Sequence, residues 1–104
     1  MAAQKRKKIR ESLLLQLAIK GASAEHYIDL IGDYMILWDT KNDLIKDIKK
    51  RGITYQDYSA TGVLVWKNNP SVKDLLATNR QMLSILKELN LSTKEVDGGD
   101  ADEL

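Results

Sequence analysis

AEHYIDLIGDYMILWDTKNDLIKDIKKRG, residues 24–52, decides the fold. Its apolar residues Tyr27, Ile31, Tyr34, Trp38, Ile45 and Ile48 follow steps of four, three, four, seven and three, the stripe of a helix face and not the alternation of a strand. A second set, Ile28, Met35 and Leu44, widens that face, so the helix packs on more than one neighbour. A run of about 28 residues is roughly 42 Å long at 1.5 Å per residue. In a chain of 104 residues, a helix of that length belongs to a hairpin or to an oligomer. Ser23 is placed to cap its start. Gly52 stops it behind Lys49, Lys50 and Arg51, three cations that suit the negative end of the helix dipole.

Upstream, KRKKIRESLLLQLAIK at residues 5–20 carries Ile9, Leu13 and Leu17, with Leu14 and Ala18 beside them, at helical spacing, and Gly21 ends the pattern. Downstream, Ile53, Tyr55 and the run Val63, Leu64, Val65, Trp66 are β-prone and are separated by Ser59, Ala60, Thr61 and Gly62. This predicts a structured connection of the size of a small hairpin. Asn69-Pro70 then restarts a helix, with a capping Asn and a Pro at the first helical position. Its stripe is Val72, Leu75 or Leu76, Asn79, Met82 or Leu83, Leu86 and Leu89. Asn79 interrupts the apolar residues, as a group that sets register in an oligomer does, or one on a wet rim. The expected class is all-α: a hairpin-like domain with a long central helix, a short irregular or β-hairpin connection and a C-terminal helix.

Charge divides the chain more sharply than its total shows. Sixteen Lys and Arg against fifteen Asp and Glu give a formal charge of +1, yet residues 92–104 hold five acids and only Lys94 as a base. That segment is net −4, and the remaining residues 1–91 are net +5 with fifteen cations against ten acids. Three parts follow: a basic N-terminal arm at 1–11, a helical domain at 12–91 and an acidic tail at 92–104 that composition predicts to be flexible. A packed part of about 80 residues with so long a helix is marginal as a lone globule, which favours burial against further subunits.

Several classes are excluded or disfavoured. With no cysteine there is no disulfide and no thiolate for catalysis or soft-metal binding, and a reducing, cytoplasmic setting is expected. The basic start followed by Leu13, Leu14 and Leu15 imitates a secretory signal, but Gln16 and Lys20 break the apolar run. No stretch reaches the roughly 18 apolar residues of a membrane span, so no membrane partner is expected. His26 is the single histidine, and with Asp29 it makes half of a metal site with no third ligand at a suitable spacing. Asp29 and Asp33, four apart, read as a solvated helix face in preference to an acid/base pair. The Gly98-Gly99 pair has no helix after it and is no phosphate loop. No cofactor, metal or catalytic residue is expected.

The basic clusters are the stronger signal. Lys5, Arg6, Lys7, Lys8 and Arg10 place five cations in six positions, enough to neutralise several phosphates in a salt-sensitive manner. Lys46, Lys49, Lys50 and Arg51 form a second group. The plain alternatives are a solubilising arm for the first and dipole complementation for the second. Neither is interleaved with aromatics, so single-strand stacking is not indicated. The six aromatics lie on the long helix and the connection, and any exposed share of them would mark a subunit contact.

From Asn69-Pro70 through Asn79-Arg80-Gln81-Met82-Leu83-Ser84-Ile85-Leu86-Lys87-Glu88-Leu89 to Asn90-Leu91-Ser92-Thr93, the chain resembles the tailed-phage terminase small-subunit family, in which an Asn-Pro opens a helix ending in a Leu-x-x-Leu-Gly-Leu-Thr turn. The long helix, Gly52-Ile53 and the passage through Val65 are similar to that family in order, so the resemblance covers residues 24–96. Asn90 stands where the family has glycine, and Lys94-Glu95-Val96 replaces its basic, serine-containing continuation. The resemblance implies a non-enzymatic packaging factor in the host cytoplasm: a ring-forming homo-oligomer that binds double-stranded viral DNA at the packaging start site and recruits and regulates the terminase large subunit, which holds the ATPase and nuclease. On that basis the two basic clusters meet DNA. Tyr27, Ile31, Tyr34, Trp38, Ile45, Leu75, Asn79, Met82 and Leu86 pack subunits. Asp97, Asp100, Asp102, Glu103 and Leu104 are available to the large subunit. The alternatives are a helical protein-protein adaptor or antitoxin-like regulator without DNA binding and, more remotely, a small enzyme centred on His26.

Overall fold

A computed structural model describes residues 2–21 and 24–91. Three helices and one hairpin follow in the order α1 (Ala2–Ile19), α2 (Glu25–Arg51), β1 (Thr54–Tyr58), β2 (Leu64–Asn68) and α3 (Pro70–Glu88). The chain is mostly helical, as its periodicity predicts, and the connection is a two-stranded antiparallel sheet.

Helix α1 runs without a break through the basic cluster and across residue 11, so these cations ride on its first turns. It ends at Gly21, whose φ of 73° lies in the left-handed region that favours glycine. Helix α2 begins after Ala24, which makes no side-chain cap; the expected cap, Ser23, lies outside the described residues. Its end is firmer. Gly52, at φ 88°, donates its N–H to the Ile48 carbonyl at 2.7 Å, and a Cβ there would sit 3.2 Å from the Thr54 carbonyl oxygen.

The hairpin closes between Ser59 and Val63, where Ser59 N–H meets the Val63 carbonyl at 2.7 Å and Gly62 takes a φ of 83°. Its register pairs Tyr55 with Lys67, Gln56 with Trp66 and Tyr58 with Leu64. Alternation therefore puts Gln56, Tyr58, Leu64 and Trp66 on one face and Tyr55, Asp57, Val65 and Lys67 on the other.

Asn69 joins hairpin to helix. Its Oδ1 accepts the Ser71 N–H at 2.9 Å, its Nδ2 donates to the Gly52 carbonyl at 2.9 Å, and its own N–H reaches Ile53. Pro70 follows at the first helical position, which needs no donor. At the other end Asn90, φ 58°, takes the place of the usual glycine. Leu91 N–H bonds the Leu86 carbonyl and Asn90 N–H bonds Lys87, the paired bonds of a Schellman cap. That turn carries Leu89 and Leu91 back into the interior.

The core gathers Leu13 and Leu17 of α1, Ile31 and Met35 of α2, Leu86 of α3, and Leu89 and Leu91. Helices α1 and α3 both run antiparallel to α2, with Arg6 meeting Asp39 and Ser71 meeting Asp47. Helix α2 thus forms the spine on which the other elements lie.

Candidate nucleic-acid interface

The cations of α1 fall on two sides of the helix. Lys5, Lys7, Lys8 and Arg10 are exposed, and among the described residues their one ion pair is a loose 3.9 Å contact from Lys7 to Glu11. Arg6 turns inward and holds both carboxylate oxygens of Asp39. Arg6, Asp39 and Lys46 line one shallow cleft with Ala3 at its end. The antiparallel crossing therefore brings the last half of α2, with Lys46, beside the basic start of α1. One cation of each cluster, Arg6 and Lys46, thus shares a cleft, together with Asp39 and Asp43.

Lys49 and Lys50 are exposed in the final turn of α2. Arg51 is not free in the same sense. Its guanidinium donates to Asp47 at 2.9 and 2.8 Å and to Asn69 Oδ1 at 3.0 Å, and stands 4.8 Å over the Tyr55 ring. Asp47 also accepts from Ser71 Oγ at 2.6 Å. Arg51 first, and Ser71 after it, hold the Asp47 carboxyl well below the ordinary carboxylate range. Arg6 and Arg51 are thus held by carboxylates of the fold, whereas Lys5, Lys7, Lys8, Arg10, Lys46, Lys49 and Lys50 are exposed to solvent. Sequence spacing alone gave no means to separate the two kinds, because the acidic partners Asp39 and Asp47 lie on other turns or another helix.

The residues expected to pack subunits also divide. Ile31, Met82 and Leu86 are buried within the protomer itself, at 1%, 5% and 8% exposed, and present no surface to a neighbour. Their place on a wide stripe is explained by packing among α1, α2 and α3. Tyr27, Tyr34, Trp38, Ile45, Leu75 and Asn79 are half-buried. Several large apolar residues outside that set are exposed. Leu76 and Leu83, seven residues apart on one face of α3, and Tyr58, Leu64 and Trp66 on one face of the hairpin are all half or more exposed. The strand alternation was the signal that separates Trp66 from Val65.

Asp97, Asp100, Asp102, Glu103 and Leu104 lie outside the described residues. His26 is exposed on the first turn of α2, its ring 4.3 Å from that of Tyr27. Among the described residues no three His, Cys, Asp or Glu side chains gather as a metal set, and no helix is long and apolar enough to cross a membrane.

A family model described as phage terminase, small subunit, matches residues 7–96. The chain belongs to that family. The match takes in most of α1, all of α2, the hairpin and α3, and closes beyond the Schellman turn at Asn90. A role in phage DNA packaging follows for this small subunit. No significant match is found among curated proteins or among solved structures.

Proposed function

We propose that this small terminase subunit binds double-stranded viral DNA at the packaging start site as a ring-shaped homo-oligomer, and there recruits and regulates the large subunit in the host cytoplasm without catalysing a reaction itself. The observation that supports the reading is exposed positive charge on both helices: Lys5, Lys7, Lys8 and Arg10 on α1, and Lys46, Lys49 and Lys50 on the later half of α2, with Lys46 in a cleft it shares with the start of α1. Point charges on long side chains suit phosphates and fix a protein on a duplex without reading its bases. Sequence-independent attraction of this kind falls steeply with salt.

Oligomer formation is supported by apolar surface that the protomer leaves uncovered. Tyr58, Leu64 and Trp66 form an exposed apolar face on the hairpin, and a patch of that kind rich in aromatics suits a subunit contact. The half-buried Tyr27, Tyr34, Trp38, Ile45, Leu75 and Asn79 border such contacts, whereas Ile31, Met82 and Leu86 complete the protomer. The basic segment 1–11, the helical part 12–91 and the acidic segment 92–104 then serve DNA, assembly and the large subunit respectively. Native mass spectrometry of the chain with and without a short duplex tests this. A single discrete multimer that takes up duplex is expected; a monomer that takes up none contradicts it.

A further inference from the structure

Between α1 and α2, where the end of α3 arrives, lies a groove of about 450 Å³. Trp38 lines it, as do Lys5, Lys8 and Lys41 from two helices. Gln16 lines it as well, and while its Nε2 donates to Ser12, its Oε1 is buried with no hydrogen-bond partner among the described residues. Leu91, the last residue before the acidic segment, forms part of the wall.

We propose that this groove is the seat of the chain's own acidic segment, residues 92–104. Charge is the first argument: three cations surround the groove, and the segment entering from its wall holds five acids and one base. Reach is the second. Leu91 packs in the same cluster as Leu13, and from Leu13 to Lys5 is eight residues of helix, about 12 Å. Four residues, when extended, span about 13 Å, so the segment that follows Leu91 is long enough to reach the lysines.

The consequence rests on the DNA reading given above. Lys5 and Lys8 are among the cations assigned to phosphates, so a seated tail competes with DNA and is displaced by it, or by a large subunit that captures the tail. Small-subunit affinity for DNA is then set by where the acidic segment lies.

The chain has no cysteine, so Gly98→Cys gives one attachment point for a bimane fluorophore, which tryptophan quenches at short range. In the full chain at low salt the label is expected to be quenched. Emission should recover in Trp38→Phe, at high salt, and in a Lys5→Gln/Lys8→Gln/Lys41→Gln variant, but not in Trp66→Phe. Emission that is indifferent to salt and to the lysine changes overturns the contact, a result that does not depend on how Trp38→Phe folds. Quenching of a labelled Trp38→Phe chain by unlabelled native chains would mean capture by a neighbour's groove and also overturns it. Neutralising the five acids is expected to tighten DNA binding severalfold. A quenched label with DNA affinity unmoved by that change keeps the tail contact and counts against Lys5 and Lys8 as phosphate ligands.

Discussion

Arg6 donates from Nε and Nη2 to the two carboxylate oxygens of Asp39, at 2.8 and 3.0 Å, across 33 residues of sequence. The fork geometry fixes the position of α1 along α2 as well as its distance. It also removes one cation from the exposed set. Asp39→Asn is expected to loosen the start of α1, giving severalfold faster amide exchange there, while DNA affinity stays equal or rises because Arg6 is released. Hydrogen exchange read residue by residue checks the first part, and a fall in DNA affinity would contradict the second.

Asn69 caps α3 and ties it to both Gly52 and Arg51 while only 2% exposed. Asn69→Ala removes the cap and leaves buried groups without partners, a loss of about 2 kcal/mol and a Tm lower by roughly 10 °C in a domain of this size. Thermal unfolding followed by circular dichroism measures it.

Leu17 and Leu15 stand two residues apart on α1, one 1% and the other 61% exposed. Leu17→Ala opens a cavity among Ile31, Met35 and Leu89 and is expected to cost about 3 kcal/mol. Leu15→Ala should stay within about 0.5 kcal/mol of the native chain unless a neighbouring subunit covers it. Paired urea titrations at two protein concentrations separate these outcomes.

Asp47 is held below its ordinary value of 3.8 chiefly by the hydrogen bond from Arg51. A carboxyl lowered on folding contributes stability that is complete at neutral pH and is lost as acid protonates it, progressively below about pH 5. The gap in stability between native chain and Asp47→Asn should therefore be widest at neutral pH and close toward pH 2. A gap that widened in acid would contradict the assignment. Asp57, lowered first by the Tyr58 backbone N–H, adds to the same acid lability.

Periodicity located α2, β-prone runs marked a short irregular or hairpin connection, and the Asn69-Pro70 pair marked the restart of a helix, because each depends on local chemistry; the turn at Asn90 came from the family resemblance, in which a glycine stands there. The roles of individual side chains were less legible. Arg6 and Lys7 are adjacent and alike in sequence, and only the crossing of α1 over α2 sends one to Asp39 and the other to solvent. Ile31 and Tyr34 lie on one stripe, yet α1 and α3 together cover the first and leave the second half open. Met82 and Leu83 were equivalent candidates until the packing of α3 buried one and exposed the other. Tertiary geometry makes these distinctions, and a single stripe of apolar residues does not encode it.

The salt dependence of DNA binding by the full chain tests the phosphate role most directly. For B-DNA the slope of log K against log salt is about −0.9 for each phosphate neutralised. Changing Lys5, Lys7, Lys8 and Arg10 together to glutamine should weaken binding and make that slope shallower by about 3 to 4. An unchanged slope, with the variant folded and assembled as the native chain is, would contradict the assignment of this surface to DNA.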